Sequence, residues 1–530
     1  MNFDPLSTMR QPTPRPSPAP TLVLRNANVV TLEPGLPYAG QVAVTGDVIS
    51  WVGGPDGSQS PAGAGTRVID CGGRTVLPAF NDAHMHLLSL AATFWSVDCS
   101  PGQVTSIRDI QHLISDRARK AHAGEWVRAF GYDESALEER RHPNRADLDA
   151  AAPDVPVRLI HRSGHASVLN TAGLGQAGLR AETPDPDVGY MDRDPVTGRP
   201  TGFVVDMEEH ISKAAPRPTY EQVQDGIKQA SQLLVSRGIG SVQDATVKND
   251  IERWNLFQRL KADGSFQANI TFMPGINHVA AFYQQGLQFG FQRGGVRVGN
   301  AKIVATLDNG YVQPNGEDLR ILVTAARQAG FPSAIHAVES EVVEAALRAL
   351  MDTRGSEELG APRDRIEHGS EIPDQLIQLL WQSEVQLVTQ PSFLYYSGDR
   401  YLADVAPARH PWLYRGSSLI AGGIVPPAAG SDAPVAPANP LRGIHAAVNR
   451  RTQKGAWISP EEGVRAQWAV EMHTRYPAFA AGEERIRGSI SPGKAADLVI
   501  LDRNPIDCPP EEIADIPVFM TIVGGQVVWE

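Results

Sequence analysis

The stretch Thr75-Val-Leu-Pro-Ala-Phe-Asn-Asp-Ala-His84-Met-His86 is an apolar run that ends in two histidines one residue apart. Side chains alternate faces along a strand, so residues i and i+2 point the same way. Two imidazoles on one face, at the end of a buried strand, grip one metal ion together. An isolated pair of this kind is more often two polar residues leaving a strand. The metal reading gains weight only if the chain supplies further ligands in comparable positions.

The segments around the run set the architecture. Residues 22–31, 41–45, 48–52 and 68–71 are strand-like and punctuated by Gly, Pro and Asp, and residues 496–502, 518–523 and 524–529 repeat that pattern at the other end. Two β-rich ends around a long middle predict one sandwich domain, residues 21–76 with 484–530. Between them, strand-like segments at 239–243, 269–273, 296–304, 333–336, 365–368, 385–389 and the approach to Asp432 alternate with helical patterns. With the His84 strand they make eight, which predicts an α/β fold: a TIM-like (β/α)8 barrel over residues 77–483. More than a hundred residues separate the first two barrel strands, so residues 88–220 are expected to be an α/β insertion over the barrel mouth.

Composition narrows the function. The net charge of −12 comes without a basic stripe, which argues against a nucleic-acid partner. No apolar run is long enough to span a bilayer, so no membrane partner is expected. The three cysteines, Cys71, Cys99 and Cys508, form neither a disulfide framework nor a CxxC site and suit a reducing, cytoplasmic location. Residues 1–20 are Pro-rich, lack an apolar core and read as a disordered tail.

Further metal-type side chains recur at strand ends. Lys302 lies in the fourth strand, His336 ends the fifth, His368 ends the sixth and Asp432 follows the eighth. Singly, each has a structural alternative: a core histidine, a helix cap, a turn residue, a lysine paired with Asp308. Together they converge on the face where barrel enzymes keep their active sites. Neutral imidazoles and a carboxylate suit Zn²⁺ or a similar divalent ion. Such an ion brings the pKa of its water to about 7 and polarises a carbonyl. A carboxylate beside that water takes its proton and passes it to a leaving amine. A lysine buried in an apolar strand is partly neutral, and a neutral amine adds CO2 to form a carbamate that bridges two ions.

These motifs carry a resemblance. Leu77-Pro-Ala-Phe-Asn-Asp-Ala-His-Met-His86, Gly164-His-Ala-Ser-Val-Leu-Asn170, Lys302 before Asp308-Asn-Gly310, His336, Arg365-Ile-Glu-His368, Gly430-Ser-Asp-Ala-Pro-Val435 and Gly493-Lys-Ala-Ala-Asp-Leu-Val-Ile500 are similar to those of the metal-dependent amidohydrolase superfamily. The chain most resembles its YtcJ-like branch (amidohydrolase family 3), which includes N-substituted formamide deformylases. The resemblance runs from residue 21 to 530. It implies two divalent ions, with His84 and His86 on the more buried one and His336 and His368 on the other. It also implies carboxylated Lys302 as the bridge, and Asp432 as ligand and general base.

Two features depart from the branch. Its His-Ala-Ile-Gly-Asp stretch is replaced by His336-Ala-Val-Glu-Ser340, and the spacing from Lys302 to the Asp-Gly pair is longer. The first resembles the His-x-x-Glu of mononuclear deaminases and opens a rival in which Glu339 shuttles protons at one metal. Glu339 also reads as a first-turn carboxylate at a helix N-terminus. His165, Tyr132, Asp308 and Glu339 are the candidate substrate contacts. The expected activity is hydrolysis of a non-peptide carbon–nitrogen bond, in an N-acyl or N-formyl amine or a cyclic amide, by metal-activated hydroxide. The alternatives are the deaminase and a barrel that binds without turnover. A small-molecule substrate is the expected partner, and a homodimer is left open.

Overall fold

The structure is a computed structural model that describes residues 19–54, 62–122, 124–185, 189–354 and 363–530. The tail expected over residues 1–20 lies outside the described residues except for its last two.

Two runs of parallel strands form the centre. In the first, Phe80–Met85 pairs with Ile239–Asp244, which pairs with Asn269–Phe272 and then Val296–Val298. A short antiparallel edge, Gln292–Arg293, closes that side. In the second, the order is Ala301–Val304, Ser333–Ala337, Arg365–His368, Gln386–Thr389 and Ala428–Ala429. Most of these strands are buried along their whole length, as parallel strands covered on both faces must be. The covering helices are amphipathic and capped. Ser340–Asp352 buries Val342, Val343, Ala346, Leu347 and Leu350 on one stripe. Asn315 caps Gly316–Gln328 by accepting from the Glu317 and Asp318 N–H groups.

Backbone contacts link the two runs at both margins. At one, Lys302 N–H donates to Pro274 C=O (2.8 Å) and Gly275 bridges Lys302 in parallel. At the other, Asp432 N–H donates to His84 C=O (2.7 Å) and His86 N–H to Ala433 C=O (2.8 Å). Gly430 is needed there, because a Cβ at that position would lie 2.6 Å from the His84 nitrogen.

Two segments that read as single strands are each two. The 75–86 run breaks at Ala79. Thr75–Pro78 pairs with Leu498–Leu501, while Phe80–Met85 joins the parallel run. Pro78 has no N–H to extend a ladder, and the chain changes sheets directly after it. The 296–304 segment breaks at Gly299-Asn300, where the Asn300 side chain donates to the carbonyls of Ser333 and Arg363.

Both chain ends meet in two further sheets. One has the order Val48–Gly53, Gln41–Thr45, Leu22–Arg25, Arg67–Asp70. The other runs Gln526–Trp529, Val518–Val523, Leu498–Leu501, Thr75–Pro78, Asn28–Val30, Tyr38–Ala39. They share a core that includes Leu24, Val42, Ile49, Val76, Leu498 and Ile522.

The segment after the His86 turn builds its own six-stranded sheet, in which Val127–Tyr132 and Val157–His161 lie parallel. Ile110, Ile114, Leu148 and Leu159 belong to its separate core. Among the described residues, no helix is long and apolar enough to cross a membrane.

Candidate metal centre

His84 closes the strand Phe80–Met85, and His86 opens the helix Leu87–Thr93. The strand is parallel to its neighbours, so its C-terminal end meets theirs. His84 Nε2 lies 3.5 Å and His86 Nε2 3.0 Å from Asp432 Oδ1. One ligand atom from each of the three lies within 4.8 Å of the others. Asp432 holds a left-handed backbone conformation (φ 56°), which turns its carboxylate back over the end of the His84 strand. The His368 ring stands 4.8 Å from His84 and 4.4 Å from His336, centroid to centroid. Lys302 is buried in Ala301–Val304 next to these rings.

Three of the imidazoles, those of His84, His86 and His368, are each aimed by an outer partner. His84 Nδ1 is bonded to Glu367 Oε2. Glu367 Oε1 in turn accepts from Arg365 Nε at 2.5 Å. Arg365 is fully buried and also donates to Gln243 Oε1 (2.6 Å) and Ala83 C=O (2.7 Å). His86 Nδ1 meets the Thr246 hydroxyl at 3.1 Å, and His368 Nδ1 meets Gln390 Oε1 at 2.8 Å. Such partners fix the ring and leave the other nitrogen for a metal. Asp82 fastens the Asp432 turn by accepting from Ser431 N–H (2.9 Å) and Ser431 Oγ (2.5 Å).

The electrostatics follow from burial. Burial holds the His84 imidazole down at about 3, helped by the Lys302 charge, so the ring is neutral. Burial and the neighbouring His368 and Lys302 push His336 well below its ordinary value. Burial brings Lys302 down to about 8 against the pull of Glu367 and Asp432, so part of the amine is neutral near pH 7. Burial alone would raise Asp432. Contact with His86 and the potential of the other imidazoles outweigh it and keep the carboxyl well below the usual range.

The donor set fits divalent ions on an observation independent of these values. Lys302 Nζ, His368 Nε2 and Asp432 Oδ1 are buried and have no hydrogen-bond partner. Unpaired buried polar atoms are costly and rare, and three in one cluster of metal-ligating types point at a common guest.

The four candidate substrate contacts are placed differently. Tyr132 is fully buried in the core of the insert, with its hydroxyl 3.0 Å from His142 Nδ1, so it packs inside the insert and does not line an open pocket. His165 is 68% exposed and its Nδ1 is 2.8 Å from Asp206 Oδ1. Asp308 is exposed on the hairpin of Thr306–Asp308 and Tyr311–Gln313, away from any contact with Lys302 Nζ among the described residues. Glu339 sits at the N-cap position of Ser340–Asp352 without a capping bond from its side chain. Reading the sequence missed the Arg365–Glu367 pair, Thr246, Gln390 and Asp82. Its usable signal was a charged pair at i and i+2 within a strand too buried for charges without a task.

Strand-end imidazoles, a buried lysine and a carboxylate on a parallel α/β framework define a metal-dependent hydrolase. The chain belongs to the amidohydrolase family, whose sequence pattern matches residues 67–529. It is 29% identical to the N-substituted formamide deformylase of Arthrobacter pascens, over 96% of this chain and 98% of that protein. It is 27% identical to the putative amidohydrolase YtcJ of Bacillus subtilis (strain 168), over 88% of this chain and 91% of that one. An uncharacterized metal-dependent hydrolase from Pyrococcus horikoshii OT3 shares the fold, with a TM-score of 0.76 at 24% identity over 92% of this chain and 99% of its own. The activity of this protein is therefore metal-dependent hydrolysis of carbon–nitrogen bonds other than peptide bonds.

Proposed function

We propose that the protein hydrolyses N-formyl or N-acyl amines at a binuclear centre held by His84, His86, Lys302, His336, His368 and Asp432. The observation that carries this reading is the trio of buried, unpaired atoms, Lys302 Nζ, His368 Nε2 and Asp432 Oδ1. A centre of one ion served by His84, His86 and Asp432 leaves Lys302 Nζ without a partner. A carbamate on Lys302 gives it one. The neutral amine nitrogen bonds to the carbon of CO2, one proton leaves, and the resulting carboxylate would add anionic oxygen donors to the cluster. The two parallel runs then read as one closed (β/α)8 barrel, with His84 and Asp432 at the seam.

Bound divalent ions supply Lewis acidity toward the amide carbonyl and lower the pKa of water to about 7. The remaining work falls to the chain. Burial holds His84 and His368 below their ordinary values, and Glu367, Thr246 and Gln390 fix the rings of His84, His86 and His368. Asp432 is ionised throughout the working range. It takes the proton of the attacking water and returns it to the amine nitrogen as the carbon–nitrogen bond breaks.

The substrate class follows the Arthrobacter relative named for N-substituted formamides. The test is amine and formate release from a panel of N-alkyl and N-aryl formamides, acetamides and cyclic amides. Turnover of formamides above the others, lost in a folded Asp432→Asn variant, is expected. Turnover of aminated heterocycles with ammonia release, and of no amide, would overturn the reading.

A further inference from the structure

A second group of metal-type side chains lies in the insert, where the parallel strands Val127–Tyr132 and Val157–His161 end. Asp133, Glu134 and His161 each present an atom within 4.8 Å of the others. The Ser163 hydroxyl (2.9 Å) and backbone N–H (3.2 Å) engage His161 Nδ1. The backbone N–H donates to Nδ1, so the neutral metal-free ring carries its proton on Nε2; an ion at Nε2 displaces that proton to Nδ1, where the Ser163 hydroxyl accepts it. Nε2 lies 2.9 Å from Glu134 Oε2. Neither atom reaches solvent and neither has a hydrogen-bond partner. Two buried polar atoms that close without bonding each other are aimed at a third position. Asp432 Oδ1 stands in the same relation to His86 Nε2 in the strand-end centre, 3.0 Å away and without a hydrogen-bond partner.

Asp133 completes the group as a carboxylate already held in place. Its Oδ1 accepts from the Ser135 N–H (3.0 Å) and hydroxyl (2.6 Å), and its Oδ2 from Arg162 (2.7 Å). A plain His161–Glu134 ion pair is the competing account. The ring Nε2 and the carboxylate Oε2 approach to 2.9 Å without forming the hydrogen bond that such a pair would be built on. Arg162 offsets one of the two acids. An imidazole and two carboxylate groups make a donor set for a first-row divalent ion.

We propose that Asp133, Glu134 and His161 bind a further divalent ion of the Zn²⁺, Mn²⁺ or Co²⁺ type, separate from the strand-end centre. The ion ties together the ends of two insert strands. Arg162, bonded to Asp133, also donates to Ser397 Oγ (2.8 Å) in the segment after Gln386–Thr389. The site thereby fixes the insert against the mouth of the parallel framework.

The test strips the full-length protein of metal, reloads it with Co²⁺, and counts ions per chain by elemental analysis after desalting. Wild type is compared with Glu134→Gln, which keeps the shape, and with His161→Ala. Circular dichroism checks that each is folded. Both variants are expected to hold one ion fewer than wild type while keeping the rest, and to lose one component of the Co²⁺ ligand-field spectrum. If His161→Ala does not fold, Glu134→Gln decides alone. An unchanged count in Glu134→Gln, or loss of every ion at once, overturns the proposal. The readout is a difference of one ion, so it does not depend on how many ions the strand-end centre holds.

Discussion

In the strand-end centre the outer partners come from distant parts of the chain. His84 stands on Glu367, His86 on Thr246 and His368 on Gln390, the first two across 283 and 160 residues. In the insert, His161 stands on Ser163, two residues away in the same loop. The first arrangement exists only when strands from several parts of the chain are assembled around it, and it is then buried and rigid. The second is built locally at two strand ends and stays partly open, with 15% of the His161 side chain and 33% of Glu134 exposed. The two proposed sites thus put the same ligand types to two uses: a site stiff enough for chemistry, and a clasp that holds a covering element in place.

The largest effect separates the two by activity. Asp432→Asn keeps the shape but removes the proton acceptor, and should lower kcat/KM on the order of 10³- to 10⁴-fold. No substitution at Glu134 or His161 should approach that loss. Steady-state kinetics on the best amide of the panel checks it.

Stability separates them next. Glu367→Gln leaves Arg365 buried without its counter-charge and should cost about 3–5 kcal/mol, while weakening the strand-end metal about 10- to 100-fold. Ser163→Ala, the matching change in the insert, should stay within about 1 kcal/mol. Thermal melting and competitive chelation measure both. Arg162→Met breaks the contacts to Asp133 and Ser397 together and should cost about 1–2 kcal/mol. Protease should then cut the insert before the remainder of the chain.

The smallest effect is one of pH. In metal-free protein the His84 imidazole is held at about 3 against an ordinary 6.5. The unfolded chain then binds a proton that the folded one refuses. Stability is unaffected above pH 6.5 and falls as the pH drops toward 3. His161 is shifted in the same direction, and His161→Gln should remove only a minor share of this acid sensitivity. Melting temperatures between pH 7.5 and 4.5 resolve the difference.

The residues proposed as strand-end ligands were legible because a parallel strand has a simple grammar. It is apolar, it ends, and a polar residue at its end faces its counterparts on other strands. His84, His86, His336 and His368 all follow that rule, as does Lys302 by being a charge within a buried strand. What was not legible depends on pairing across the chain. Arg365 and Glu367 were visible as residues, yet nothing local says that Glu367 reaches His84. The insert cluster joins Glu134 to His161 across two strand ends with no characteristic spacing. Tyr132 was placed in a pocket because aromatic residues suit one, whereas a register shift after Phe130 breaks the alternation of Val127–Tyr132 and turns it inward. The breaks at Ala79 and Gly299-Asn300 were hidden because the apolar pattern continues through them.

The central claim is that Lys302 bridges two ions. The direct test is the metal content of Glu134→Gln protein with and without Lys302→Ala, so that the insert contributes nothing to the count. Two divalent ions per chain falling to one or none is the result expected of a bridged centre. One ion, unchanged by the loss of Lys302, would contradict it.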